Sequence, residues 1–430
     1  MPLPRIARRT LPPLAITVLL AACASAPDRT PAPAPSPAPA PDAALSPFYA
    51  WNGTLPAEPG RLLRTEPQPA QAEFTAAGDM QRILYTSDDA RWGAGILPVS
   101  GTLYLPKGQP PAGGWPLVAW AHGTLGVADV CAPSWVGHKP RDATYINRWL
   151  QQGFAVVATD YQGLGGPGPH PYLFWEAEGR SVLDAVRVAL AAHPGQIANE
   201  LVITGQSQGS ASSLGASRIA PTYAPELKLR ATIATGLLPS FPQGPVKLPD
   251  QLAGPGATTR YTMLRLVGGA LRDETQSADS LVTEKARPLL AMARETCGDG
   301  IRAYERQYGI DMSNAFTVDP ARLTQLMHPS VEMSLVRMPA PLFLGTGLAD
   351  RTIAPRHQHA AVAALCAAGN PLVWKTYPGI THNGGVNAAF DDELRFVRSA
   401  LANQPTASDC GHLVAPGDPQ ASAAGIPFND

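Results

Sequence analysis

The pentapeptide "GQSQG" sets Ser207 between Gly205 and Gly209, directly after the apolar run "LVIT". Where a buried strand turns into a helix within one residue, side chains at the flanking positions would collide with the returning backbone, and glycine relieves the clash. The serine is then pushed out at the strand end with its hydroxyl exposed. A neutral hydroxyl is a weak nucleophile, so it needs a base to take its proton and an acid to orient that base. Both should follow at the ends of later strands. "FLGTGLADRTIAP" offers Asp350 just past an apolar run, and "WKTYPGITHNGG" offers His382 in the loop after the next one.

Such an attack develops an oxyanion, which backbone N–H groups must meet. Gln208 opens the helix after Ser207, so its N–H can face that charge. The second donor is expected from "HGTLG", where His122 and Gly123 brace the loop and the N–H of Thr124 or Leu125 points at the site. "DYQGLGGPGPHPYL" follows another strand end, which predicts that Asp160 and Tyr161 border the same crevice, Tyr161 as a substrate-lining residue. That loop carries no Walker lysine, so its glycines do not point to phosphate binding. The remaining histidines and acids fit worse. His357 and His359 sit on what reads as a surface helix without the i, i+4 spacing of a metal pair, and His193, His328 and His412 read as loop or solvated residues. Asp311 and Asp319 lie away from strand ends. The chemistry requires no metal and no cofactor.

The elements that must position these residues are legible as short apolar runs. Residues 82–87 and 101–106 read as an opening strand pair, and residues 116–123, 154–160, 201–205, 229–235, 340–347 and 371–377 as strands covered on both faces. In residues 179–193, Val182, Ala185, Val186 and Ala189 make one helical stripe. Alternating strands and helices imply a mostly parallel central sheet flanked by helices. The order Ser207, Asp350, His382 is that of the α/β-hydrolase fold. Residues 237–338 interrupt the alternation with helical patterns and no convincing strand, and are expected to form an inserted helical cap. The core is therefore divided into residues 47–236 and 339–410, with a C-terminal tail over 411–430.

The chain has 430 residues, of which 45% are apolar and 16% charged, with a formal charge of −1, so nothing in the balance calls for a nucleic-acid partner. Arg5, Arg8 and Arg9 precede an apolar run to Ala22, as in an export signal over residues 1–22, and the run is too short to span a membrane. Leu20-Ala21-Ala22-Cys23 resembles a bacterial lipobox, which implies cleavage before Cys23 and a lipid on it, hence a membrane anchor in the cell envelope. Removing the signal leaves 30 basic and 34 acidic residues, net −4. Residues 23–46, rich in alternating Ala and Pro, suit an extended tether. Besides Cys23 there are Cys131, Cys297, Cys366 and Cys410, an even number with three possible pairings in an oxidising compartment.

With "AHGTLGVADVCAPS", "DYQGLG", "HPYL", "EGRSVLDAVR", "GQSQG" and the Asp and His segments, the chain resembles the secretory lipase family from about residue 80 to 410. The resemblance implies an esterase or lipase with a helical lid before the acid residue. It also implies the pairings Cys131 with Cys297 and Cys366 with Cys410. Fungal members carry an acidic side chain at the oxyanion loop where this chain has His122-Gly123-Thr124, so Asp129 is a poor oxyanion candidate. The expected partner is a small-molecule ester or lipid. Peptide or acylaminoacyl amides are the rival substrates, disfavoured because no propeller-like domain precedes the catalytic one. A catalytically silent envelope lipoprotein would require the three side chains to coincide by chance.

Overall fold

Apolar runs without a polar alternate need cover on both faces, and the computed structural model, which describes Pro2 and residues 45–246 and 259–430, supplies it. Apart from Pro2, the expected signal peptide falls outside the described residues, as do Cys23, nearly all of the tether and residues 247–258 of the expected cap. All the elements below belong to the unit spanning Ser36–Asp430.

The strands are β1 (Leu62–Pro67), β2 (Ala77–Asp88), β3 (Ile96–Pro106), β4 (Trp115–Ala121), β5 (Ala155–Thr159), β6 (Ile197–Gln206), β7 (Leu229–Thr235), β8 (Leu342–Gly347) and β9 (Leu372–Tyr377). They form one sheet in the order β1-β2-β3-β5-β4-β6-β7-β8-β9. The six strands from β5 to β9 in that order run parallel, and β1, β2 and β3 join antiparallel at one edge. The expected opening pair is β2 and β3, in register with Arg82 opposite Thr102, and both strands run longer than their apolar centres suggested. The sequence reading did not include β1: "LLRTEP" at the open edge is half exposed, so no apolar run or clean alternation marks it.

The helices are α1 (Pro133–Val136), α2 (Pro140–Gln151), α3 (Trp175–Ala192), α4 (Gln208–Tyr223), α5 (Thr259–Val267), α6 (Arg287–Glu295), α7 (Gly298–Tyr308), α8 (Pro320–Leu326), α9 (Pro355–Ala367) and α10 (Gly385–Leu401). On one face of the sheet α2 and α10 bring Tyr145, Trp149 and Phe390 against Val118, Trp120 and Val156. On the other, α3 and α4 pack Val182, Val186 and Ala216 against Leu117, Val157 and Ile203. The predicted stripe on α3 is buried throughout.

Between β7 and β8 lie α5 to α8, whose Met263, Leu264, Leu289, Leu290 and Ile301 share one apolar cluster with Ala211 and Leu214 of α4. Disulfides join Cys131 to Cys297 and Cys366 to Cys410. The first ties the loop after β4 to the start of α7; the second ties α9 to residues beyond α10. Two features go beyond the sequence reading. First, α9 is not a surface helix: His357 is buried and its Nε2 lies 3.0 Å from the Leu238 carbonyl, because an alanine-rich helix shows no apolar stripe even when one face is buried. Second, the C-terminal tail over residues 411–430 hydrogen-bonds back onto the core. The Gln420 N–H donates to Leu348 O at 2.8 Å and the Ala423 N–H to Gly379 O at 2.8 Å.

Candidate active site

Ser207 stands at the turn from β6 into α4 with φ 58° and ψ −118°, a left-handed conformation that side chains other than glycine rarely adopt. The turn allows nothing larger than glycine on either side. A Cβ on Gly205 would come 2.0 Å from the Gly209 carbonyl oxygen, and one on Gly209 would come 1.9 Å from that of Ala121. The Ser207 N–H donates to Thr235 O on β7 at 3.0 Å, and Ser210 Oγ donates back to Ser207 O at 2.6 Å, so the strained residue is held from two sides.

Asp350 follows β8 and His382 follows β9. Asp350 is 1% exposed, and its Oδ2 stands 2.7 Å from His382 Nδ1. The same oxygen accepts Gln358 Nε2 at 2.8 Å, while Oδ1 accepts the N–H groups of Thr352 and Ile353, each at 2.8 Å. Four donors on one carboxylate leave it one orientation. The imidazole is fixed in turn: Gln206 Nε2 donates to His382 O at 3.1 Å, and a Cβ on Gly236 would come 2.8 Å from the ring. His382 Nε2 is buried without a hydrogen-bond partner among the described residues. Ser207 and His382 line the same cavity, of about 330 Å³, with Gln206, Thr124 and Tyr261.

A smaller pocket beside it is lined by Ser207, Gln208, Thr124 and Tyr172. Of the two proposed loop donors, Thr124 lines both spaces, its Oγ1 lying 2.7 Å from Tyr172 Oη. Leu125 turns its side chain into the cluster around the Cys131–Cys297 bridge, and its carbonyl accepts the Gly298 N–H at 2.6 Å. Asp129 is buried and lines neither space. His122 is also buried, with Nδ1 2.8 Å from Gly123 O, a brace for the loop.

Tyr161 and Asp160 do not border the crevice. The backbone at Tyr161 is left-handed, φ 71°, which turns the ring inward; it is fully buried and its hydroxyl donates to His122 O at 3.0 Å. Asp160, 1% exposed, accepts Ser100 Oγ at 2.6 Å and the Ser134 N–H at 2.9 Å, and burial holds its pKa above the usual carboxylate range. Both anchor the loop from within. Asp319 is the N-cap of α8, accepting the Arg322 N–H at 2.8 Å, and takes no part in the site.

Behind Ser207 lies a buried polar cluster absent from the sequence reading. Gln208 Nε2 donates to Glu178 Oε1 at 2.8 Å and to His170 Nε2 at 2.9 Å, while His170 Nδ1 lies 2.8 Å from Gln162 O. Glu178 also accepts Ser212 Oγ at 2.6 Å and the Leu173 N–H at 2.9 Å. Burial pushes the Glu178 carboxyl up to about 7 and the His170 imidazole down to about 3, so His170 is neutral at physiological pH. Both residues stand in stretches already noted as family-like, "EGRSVLDAVR" and "HPYL"; what was hidden is that they converge on the side chain of Gln208.

Comparison with known proteins fits this geometry. Residues 139–249, which include α2, α3 and the Ser207 turn, match the secretory lipase family. Lipase 7 of Candida albicans is 32% identical over 109 residues, which is 23% of this chain and 25% of that protein, so the chain spans about a quarter of the curated relative it matches. The fold is close to that of Candida antarctica lipase A in its closed state, with a TM-score of 0.63 at 18% identity, covering 89% of this chain and 92% of the other. A rice cell wall degrading esterase from Xanthomonas oryzae superposes with a TM-score of 0.58 at 17% identity, covering 80% and 97%. The chain thus has the α/β-hydrolase fold of these lipases and esterases.

Proposed function

We propose that this chain, related to the secretory lipases through residues 139–249, is an exported serine hydrolase of carboxylic esters. Ser207 Oγ attacks the ester carbonyl as His382 Nε2 takes its proton. Asp350 holds the imidazole tautomer with Nδ1 protonated and stabilises the imidazolium. The N–H groups of Gln208 and of Thr124 or Leu125 hold the tetrahedral oxyanion, a donor of this kind being worth about 10² to 10³ in rate. Collapse of that intermediate breaks the ester C–O bond, and the imidazolium gives its proton to the departing alcohol. Water then attacks the acyl-serine, activated by the same imidazole, and the carboxylic acid leaves.

The single observation that carries this reading is the imidazole held 2.7 Å from a four-fold hydrogen-bonded Asp350, its other nitrogen unpartnered among the described residues, on a residue that shares a cavity with the strained Ser207. Residues 237–338 serve as a cap over that cavity, and the Cys131–Cys297 bridge holds the cap to the core. A lipid on Cys23 with an extended tether over residues 23–46 keeps the enzyme at the envelope. The test is Ser207→Ala, which keeps the fold and loses about 10⁴-fold or more in turnover of p-nitrophenyl esters, and which abolishes labelling by a fluorophosphonate. A variant that retains its rate refutes the assignment.

A further inference from the structure

A cavity built for a plain acyl chain would be walled by apolar side chains. This one is not. Four cations, Lys139, Arg141, Arg260 and Arg302, line it together with two carboxylates, Asp299 and Asp430. Two of the cations are already matched. Arg141 Nε donates to the buried Asp142 at 2.7 Å and its Nη1 to Asn383 Oδ1 at 2.9 Å, and Lys139 Nζ donates to Asp299 at 2.9 Å. At the rim Asp430 accepts Asn383 Nδ2 at 3.3 Å.

The other two cations, on α5 and α7, are different. Among the described residues neither Arg260 nor Arg302 forms a salt bridge with a carboxylate. Arg260 Nη2 donates to its neighbour Tyr261 Oη at 2.8 Å, and Arg302 Nε is buried with no hydrogen-bond partner. A further acid, Glu305, has a carboxylate that accepts the Arg260 backbone N–H and feels both guanidiniums, but it lines a separate depression with Thr259 and Met312. Burial raises the Glu305 pKa, which weakens it further as a counter-charge. Asp299 also lies within the field of both arginines, yet it is engaged by Lys139. Leaving half-buried guanidiniums without a carboxylate is unfavourable, and their planar donors match a carboxylate or phosphate two bonds at a time.

We infer that Arg260 and Arg302 form an anion subsite in the Ser207 cavity, so that the preferred substrates are carboxylic esters bearing a second, anionic group away from the scissile bond. The inference rests on the ester-hydrolase assignment above and names the substrate class of that same site.

The test uses the full chain and two matched ester pairs: p-nitrophenyl hydrogen glutarate against p-nitrophenyl valerate, with the charge on the acyl side, and 3-acetoxybenzoate against phenyl acetate, with the charge on the alcohol side. In at least one pair kcat/KM for the charged ester, corrected for the uncatalysed rate, exceeds that of the neutral ester by about 10-fold, the advantage expected of a charge-assisted hydrogen bond. Raising NaCl to 0.5 M shrinks the preference, since screening shortens the reach of the arginines. In the Arg260→Gln/Arg302→Gln double variant the charged-to-neutral ratio falls by about 10-fold, with fluorophosphonate labelling of Ser207 as the check that the site is assembled. Wild-type turnover of neutral esters with no preference in either pair overturns the inference and leaves the hydrolase assignment standing. A preference that survives the double substitution overturns the assignment to these arginines. No turnover of any ester and no labelling overturns both. The wild-type comparison decides the matter even if the double variant does not fold.

Discussion

At the residue scale the buried Glu178 has the widest reach. It holds the side chain of Gln208, whose N–H is the proposed oxyanion donor, and the N–H of Leu173 in the loop that presents Tyr172 to Thr124. One carboxyl group therefore steadies both walls of the pocket beside Ser207. Glu178→Gln keeps the shape but turns one of the two accepting oxygens into a donor. Turnover of a p-nitrophenyl ester is expected to drop about 10-fold in kcat with KM within about twofold, a fraction of what a whole oxyanion donor supplies. Steady-state kinetics beside a thermal melt separate this from mere packing: a lower melting temperature with kcat intact would show that Glu178 acts only on stability.

At the element scale the decisive arrangement is the packing of α5 to α8 into one apolar cluster with Ala211 and Leu214 of α4 and Ala234 of β7. Apolar burial from Met263, Leu264 and Ile301 holds these helices down, and the Cys131–Cys297 bridge closes a loop of 166 residues between the loop after β4 and α7. Cross-linking so long a loop restricts the unfolded chain strongly, and loss of such a bridge costs about 2–5 kcal/mol. Cys131→Ser/Cys297→Ser is therefore expected to melt several degrees lower than the parent. Because Gly298, Asp299 and Arg302 line the cavity immediately after Cys297, the variant should also raise KM more than it lowers kcat. An unchanged KM would mean that the bridge serves stability alone.

At the scale of the whole molecule, buried titratable groups on both faces of the sheet set the pH range of stability. Burial raises Glu393, bonded to Tyr145 Oη at 2.6 Å, from 4.5 to about 8, and Glu178 to about 7. Folded, both carboxyls keep their protons to a higher pH than in the unfolded chain, which releases them from about 4.5 upward, so stability falls as pH rises from about 4.5 to 8. Burial lowers His138 from 6.5 to about 4 and His170 to about 3, which acts in the opposite sense, making stability rise with pH up to about 6.5. The two trends offset each other in mildly acid solution, and above 6.5 only the carboxyl trend remains. Urea unfolding should accordingly show a decline in stability from pH 6.5 to 8, and Glu393→Gln should flatten it. An unchanged slope in that variant would assign the decline to other groups.

The residues bound by local covalent geometry were legible from the chain alone. Gly205, Ser207 and Gly209 follow from how tightly a strand can turn into a helix, and Asp350 and His382 from the rule that loops after parallel strands share one edge of the sheet. Runs such as "VVAT" and "LFLG" are apolar because helices cover both faces, so the sheet's centre could be read and its half-exposed edge strand could not. What tertiary structure decided is the direction of side chains and the company they keep. Asp160 and Tyr161 sit at a strand end in sequence, yet a left-handed backbone at Tyr161 buries that ring, and Ser100 and Ser134 enclose the acid. Glu178, His170 and Gln208 meet only because α3 packs on α4. The charge of the cavity is set by Lys139 and Arg141 on one element and Arg260 and Arg302 on others more than a hundred residues away. Periodicity reports burial along one segment, whereas the field at a site is a sum over segments that only the packed fold brings together.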